Sequence, residues 1–250
     1  MLIDSHCHLL SSEYSDVDEE IRNALSSGVD KIIINGYDLK SSIEAVKLSK
    51  KYGKVYAAVG IGPENIDGVT NNDILKIKEL ADNDKVVAIG EIGLDYYWTK
   101  ENKDEQIEMF KNMLSIAKEK NLPVIVHNRE AFMDTYNLIN EYNVTGILHC
   151  FSGSIEMAKE FIKKGFLIGV GGVVTFKNAK KLKEVVKEIP LTSISLETDS
   201  PYLSPEPFRG KINTPSNLIY IVREIASIKG VNELDVINVS GSNVTTKFDL

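Results

Sequence analysis

With 250 residues, 43% of them hydrophobic and 26% charged, the chain has the length and balance of one globular domain that spans residues 1–250. No apolar run approaches the roughly 20 residues that span a bilayer, and the N-terminus lacks the pattern of a signal peptide, so we expect a cytoplasmic protein without membrane contact. A formal net charge of −7 argues against wrapping duplex DNA by bulk positive charge, but bound divalent cations could still support phosphate chemistry in a pocket.

Eight short apolar segments, rich in β-forming residues, alternate along the chain with stretches of helical periodicity. The predicted strands cover residues 2–4, 31–35, 55–59, 86–89, 123–126, 146–148, 166–170 and 193–196. A long amphipathic helix is predicted over 215–229, and a shorter helix follows near 233–247. Eight strand–helix units predict an α/β protein of the (β/α)8 TIM barrel type, although an open doubly wound sheet would show the same alternation.

All four histidines of the chain, together with two carboxylates, follow predicted strands. The six residues are His6 and His8 after the first strand, Glu91 after the fourth, His127 after the fifth, His149 after the sixth and Asp199 after the eighth. In a barrel the carboxyl ends of the strands share one mouth, where active sites are built. A lone histidine at such a position is more often structural, but the joint placement of all six residues predicts a site for Zn²⁺, Mn²⁺ or Fe.

The first strand carries two histidines one residue apart, in DSHCHL at 4–9. Because strand side chains alternate, His6 and His8 point to one face, where they could bind one ion, and Cys7 points to the other. Cys7 and Cys150 are the only cysteines and do not form a CxxC pair. Both are therefore interpreted as reduced thiols that serve packing, and not as a disulfide or as metal ligands.

Six segments resemble the motifs of the TatD family of metal-dependent deoxyribonucleases, within the amidohydrolase-type barrels. They are DSHCHL at 4–9, GEIGLDYYW at 90–98, PVIVHNREA at 123–131, HCFSGS at 149–154, LETDSPYL at 196–203 and RGKIN at 209–213. The resemblance covers nearly the whole chain and implies two divalent ions, Mg, Mn or Zn, at the barrel mouth. By analogy, one ion would be held by His6, His8 and Asp199, the other by His127 and His149, and Glu91 would bridge both.

Two positions depart from the family pattern. The family usually reads G-I-H-P after the third strand, whereas this chain reads GIGP with Gly62 in place of the histidine. Glu130 stands where an aspartate is common. A contact from that histidine to phosphate or to the leaving group is therefore missing or supplied differently, which leaves the substrate open.

The expected chemistry is attack of a metal-activated water on a phosphodiester. Catalytic roles fall to Glu91, as the bridging ligand, and to Asp199, as a ligand and as the general base that accepts the proton of the water. Candidate substrate-binding residues are Arg129, Ser152, Ser154, Arg209 and Lys211, each equally compatible with a solvated charge or a helix cap.

Two further features near GLDYYW have alternative interpretations. Asp95 would either orient a metal ligand or cap a turn. Tyr96, Tyr97 and Trp98 would either stack on unpaired bases or pack on the rim of the barrel, and the sequence slightly favours packing.

The prediction for function is a TatD-type deoxyribonuclease that acts on DNA, single-stranded or at strand ends and in the manner of an exonuclease, without an obligate protein partner. One alternative is a deacylase of aminoacyl-tRNA or a hydrolase of small esters or amides, because the same water attacks carbonyl groups. Another is a catalytically weak barrel that binds nucleic acid or protein. Six converging metal ligands argue against a pure binding module.

Overall fold

A computed structural model describes all residues, 1–250, and shows strands that alternate with helices, with two helices after the last strand. The strands are β1 (Ile3–Cys7), β2 (Lys31–Asn35), β3 (Val55–Val59), β4 (Val86–Asp95), β5 (Val124–Arg129), β6 (Gly146–Leu148), β7 (Leu167–Val170) and β8 (Ile194–Leu196). The helices are α1 (Val17–Ser26), α2 (Leu39–Lys51), α3 (Asn71–Leu80), α4 (Lys103–Lys120), α5 (Phe132–Tyr142), α6 (Ile155–Lys163), α7 (Lys180–Glu188), α8 (Leu218–Lys229) and α9 (Glu233–Phe248).

The eight strands form one sheet in which they follow their order along the chain. This topology, with a helix after each strand, is the (β/α)8 barrel, so the predicted fold is confirmed and the open doubly wound sheet is not adopted. None of the helices combines the length and the apolar character needed to cross a membrane. The chain packs as two compact units, Met1–Ile34 with His149–Leu250 and Asn35–Leu148. A single domain over 1–250 stays a prediction.

In the first unit, hydrogen bonds tie the end of β1 to the end of β8. Asp4 is buried and accepts from the Thr198 hydroxyl at 2.6 Å and from the Thr198 backbone amide at 3.0 Å. The Asp199 amide donates to the His6 carbonyl at 3.0 Å. On α9, position 241 requires glycine, because a Cβ there would lie 2.1 Å from the carbonyl oxygen of Met1. The two ends of the chain are therefore held together around β1.

In the second unit, parallel pairing extends from β3 to β6, and β4 continues farther than the sequence indicates. β4 ends at Asp95, which is opposite Arg129 of β5, whereas the predicted strand ends at residue 89. Gly93 makes this extension possible, since its φ is +142° and a Cβ there would lie 2.0 Å from the His127 carbonyl oxygen. Glu91 and Asp95 are consequently strand residues that lie beside His127.

Candidate metal centre

The first unit brings together His6, His8, His149 and Asp199, which we call the first cluster. The Asp199 Oδ1 atom lies 3.4 Å from Nε2 of His6 and 3.7 Å from Nε2 of His8, and these two Nε2 atoms are 3.1 Å apart. The His149 ring stacks on the His6 ring with 3.9 Å between the centroids. One potential ligand atom from each of His6, His149 and Asp199 lies within 4.8 Å of the other two. All four side chains are buried.

Strand alternation accounts for the position of the paired histidines. His6 and His8 are two residues apart and face the cluster, while the intervening Cys7 is buried on the other side, with its Sγ atom 3.6 Å from the Ile33 carbonyl oxygen. Cys7 thus packs in the core, in line with its interpretation as a structural thiol.

The carboxyl group of Asp199 is held in its ionised form. Burial alone would raise the pKa of Asp199, but the hydrogen bond with His6 and the charges of His149, His6 and His8 outweigh burial and lower the pKa. An anionic carboxylate among three imidazoles is a donor set that suits a divalent cation of the zinc or manganese type. The residues of the first cluster therefore fit a metal ion.

The second unit brings together Glu91, Asp95 and His127, which we call the second cluster. The Nδ1 atom of His127 lies 3.1 Å from Oε1 of Glu91, and its Nε2 atom lies 2.9 Å from Oδ2 of Asp95. Burial would lower the pKa of His127, but the hydrogen bonds and charges of Asp95 and Glu91 outweigh burial and raise the pKa to about 10. The two carboxylates therefore stabilise a positive charge at this position. A bound cation would supply such a charge.

Asp95 contacts both the His127 ring and the turn that follows β4, so the two alternatives that the sequence left for this residue are compatible. Its Oδ2 atom contacts His127, and its Oδ1 atom accepts hydrogen bonds from the backbone amides of Tyr97 at 2.8 Å and Trp98 at 3.4 Å. Because Asp95 occupies Nε2 of His127, the Nδ1 atom is left facing Glu91. Asp95 thus orients the imidazole and caps the turn that follows β4.

Three of the predicted substrate-binding residues are basic, and each of them lies near an aromatic ring. The guanidinium groups of Arg129 and Arg209 lie over aromatic rings, 3.6 Å from the Tyr97 centroid and 4.3 Å from the Phe176 centroid respectively. The ammonium group of Lys211 is exposed and lies 5.8 Å from the Phe208 centroid.

The two serines of FSGS differ in their roles. Ser154 is the N-cap of α6 and its hydroxyl accepts from the Met157 amide at 3.3 Å, so the helix-cap interpretation holds for Ser154. Ser152 is exposed. A contact from either hydroxyl to substrate stays a prediction.

Sequence reasoning missed two buried acids that support the first cluster. Glu197 is buried, two residues before Asp199, and accepts a hydrogen bond from the Cys150 amide. Asp4 lies two residues before His6, and its burial raises its pKa to about 7 despite the hydrogen bonds from Thr198. The available signal was an acidic residue two positions before a predicted ligand, in Asp4 before His6 and in Glu197 before Asp199.

Comparison with known proteins identifies relatives over the full length of the chain. The family model described as TatD related DNase matches residues 3–249. The uncharacterised metal-dependent hydrolase YabD of Bacillus subtilis is 44% identical, over 99% of both chains. The uncharacterised metal-dependent hydrolase YcfH of Escherichia coli K12 is 36% identical, over 100% of this chain and 96% of its own. The crystal structure of YjjV, a TatD homologue from E. coli K12, superposes with a TM-score of 0.94 at 28% identity, over 100% and 98% of the two chains.

Proposed function

Since the chain belongs to the TatD-related DNase family and is a metal-dependent hydrolase, we propose that it is a deoxyribonuclease that cleaves phosphodiester bonds at the ends of DNA strands. The ionised carboxylate of Asp199, placed 3.4 Å and 3.7 Å from two imidazole nitrogens, carries this proposal. A cytoplasmic location and independence from a protein partner belong to the same proposal.

We assign two divalent ions, Mg, Mn or Zn, to the carboxyl ends of the strands. His6, His8 and Asp199 would hold one ion, His127 and His149 the other, and Glu91 would bridge them, as the resemblance to the family implies. The barrel topology supports this assignment, since strand ends in a (β/α)8 barrel share one face. When bound, the ions supply positive charge to the phosphate oxygens and lower the pKa of a water molecule.

Other side-chain roles are to accept a proton, to orient a metal ligand and to bind a phosphate. Asp199 accepts the proton of the attacking water at its carboxylate, because hydrogen bonding to His6 keeps that carboxylate ionised. Asp95 holds the His127 ring in one orientation through Nε2. Arg129, two residues beyond His127 on the same face of β5, offers a guanidinium group to a phosphate.

The direct test is a comparison of substrates with the purified full-length chain. The protein is stripped of metal, resupplied with Mg²⁺, Mn²⁺ or Zn²⁺ in turn, and incubated with single-stranded DNA, duplex DNA, RNA and a carboxylic ester. We expect metal-dependent release of nucleotides from DNA, and fastest from strands with free ends. Cleavage of the ester alone would contradict the proposal and favour the deacylase or small-ester hydrolase alternative.

A second prediction concerns Gly62, which stands where relatives of this family usually have histidine. Its backbone is extended, with φ −76° and ψ 161°, and an added Cβ would meet only Tyr37 at 3.6 Å and Asn65 at 3.8 Å. A Cβ therefore fits at this position without strain. We expect Gly62→His to fold normally and to raise kcat/KM on DNA about tenfold, the effect of one charge-assisted hydrogen bond to phosphate.

Gly62→Ala is the matched control for this prediction, because it adds the Cβ without the imidazole. The two variants and the unaltered chain are compared by initial rates on one DNA substrate and by thermal unfolding. Equal rates for Gly62→His and Gly62→Ala would show that an imidazole at this position gives no catalytic advantage.

A further inference from the structure

We propose that Tyr97, Trp98 and Arg129, which we call the aromatic platform, bind an unpaired nucleobase and the phosphate next to it. This inference rests on the proposed function and names the residues that select the substrate. All three residues belong to the second unit, as does the second cluster.

The first observation is the exposure of two large aromatic side chains. Tyr97 is 50% exposed and Trp98 is 66% exposed, whereas the preceding Tyr96 is only 6% exposed and donates its hydroxyl proton to Asp134 at 2.9 Å. The packing role that the sequence favoured for this aromatic stretch is thus performed by Tyr96. Trp98, and the part of the Tyr97 ring that its neighbours do not cover, therefore present ring surface on which a base could stack.

The second observation is the position of Arg129 over these rings. Its guanidinium carbon lies 3.6 Å from the Tyr97 ring centroid and 5.4 Å from the Trp98 ring centroid. The two rings meet edge to face with 5.0 Å between their centroids. Stacking on tyrosine restricts the motion of the arginine, whose planar guanidinium group presents its donors to a phosphate.

The third observation is the connection between the platform and the second cluster. Asp95 accepts from the amides of Tyr97 and Trp98 through Oδ1 and contacts His127 through Oδ2. The Tyr96 amide donates to the Arg129 carbonyl at 2.9 Å, which fixes the start of the aromatic stretch against β5. One carboxylate therefore sets both the orientation of a predicted metal ligand and the position of the rings.

The backbone of Asp95 is itself anchored by α4. The Gln106 side chain accepts from the Asp95 amide and donates to the Asp95 carbonyl, both at 2.9 Å. Along β5, Arg129 follows His127 by two residues, which is roughly 6.6 Å of strand. A base on the platform is thus held close to the phosphodiester that the metal site would cleave.

The charges around Trp98 indicate which part of a nucleotide binds where. Trp98 lines a cavity of about 320 Å³, and the acidic residues Glu64, Asp67 and Asp95 also line it. These negative charges repel a phosphate, while Arg129 attracts one, so the base enters beside Trp98 and the phosphate lies at Arg129. Bases in a duplex are already stacked on both faces and cannot use the platform in this way.

The chain offers a direct spectroscopic test, since Trp98 is its only tryptophan. The full-length protein in EDTA, where cleavage is prevented, is titrated with single-stranded oligothymidylate while tryptophan fluorescence is recorded. We expect saturable quenching, and little or none with an abasic oligonucleotide of the same length and charge. No quenching by oligothymidylate, or equal quenching by both strands, would overturn the proposal.

Substitution of Trp98 gives a second, kinetic test with metal supplied. Trp98→Ala should raise KM on single-stranded DNA about 5- to 150-fold, the range expected from the loss of one base stack, and leave KM on the abasic strand unchanged. Trp98→Phe should restore most of the affinity. Leu75→Ala is the control, because Leu75 is a comparably exposed apolar residue on α3.

Different results would contradict the deoxyribonuclease proposal and the proposal for the aromatic platform. If the unaltered chain cleaves no nucleic acid, the deoxyribonuclease proposal fails while the fluorescence titration still decides whether the platform binds a base. If the chain cleaves DNA and Trp98→Ala leaves KM unchanged on both strands, the platform is not a base-binding site and the nuclease proposal stands.

Discussion

Replacing Asp199 with asparagine should leave the protein folded and reduce turnover on DNA about a hundred- to ten-thousandfold, the usual contribution of a general base. Asparagine has nearly the same shape and keeps an oxygen where Asp199 Oδ1 lies 3.4 Å from His6 Nε2. It has no negative charge and cannot accept the proton of the attacking water. The expected loss is therefore in kcat, measured under metal saturation with single-stranded DNA, while urea unfolding remains a single cooperative transition.

Asp84→Asn is the control, since Asp84 is an exposed aspartate that contributes to neither cluster. Metal content is measured in parallel to separate the two roles of Asp199. Turnover equal to that of the unaltered chain would refute the base role. Loss of turnover that disappears when metal is raised to saturation would show that Asp199 acts only as a ligand.

Replacing Glu91 with glutamine should release metal and abolish most activity. Glu91 is largely buried, with Oε1 3.1 Å from Nδ1 of His127, and the proposed function gives it two ions to bridge. A neutral amide has a single oxygen acceptor and no charge to balance the ions, so bridging is lost. We expect the metal content after dialysis to fall from two ions per chain to one or none, and turnover to fall at least about a hundredfold.

Thermal unfolding of the Glu91→Gln variant measures metal binding independently of activity. A ligand that binds only the folded chain stabilises it by about 2.7 kcal/mol at one hundred times its dissociation constant, so metal should raise the Tm of the unaltered protein. Glu91→Gln should lose most of that rise. Glu141→Gln, at an exposed position on α5, is the control. Two bound ions and a full rise in Tm for Glu91→Gln would contradict the bridging role.

The fold could be predicted from the sequence because each buried strand is a short apolar run between helical stretches, a pattern that only a few topologies satisfy. The end of β4 could not be predicted from the sequence. Gly90 and Gly93 argue locally against a strand, since glycine weakens one, yet β4 continues to Asp95 in register with β5. The reason is tertiary: at Gly93 the chain passes so close to the His127 carbonyl that a side chain is excluded.

In the candidate site, too, some features can be predicted from the sequence and others cannot. The meeting of His6, His8 and Asp199 follows from their places at or just beyond the carboxyl ends of strands, which can be predicted from the sequence. The two contacts of Asp95 and the stacking of Arg129 on Tyr97 are not, because the direction of a side chain in a loop or at a strand end is set by neighbours from other elements. The sequence therefore predicts which histidines and carboxylates come together, but not the contacts that Asp95 and Arg129 make.

The hydrogen bonds between Asp4 and Thr198 join residues 194 positions apart and have a consequence for biosynthesis. A ribosome that adds about 5–20 residues per second needs roughly 10–40 s between the two. The second cluster, in which Asp95 and His127 are 32 positions apart, is complete much earlier in translation. Asp199 joins His6 and His8 only after the last strand has been made, so the first cluster is complete only when nearly the whole polypeptide has been synthesised.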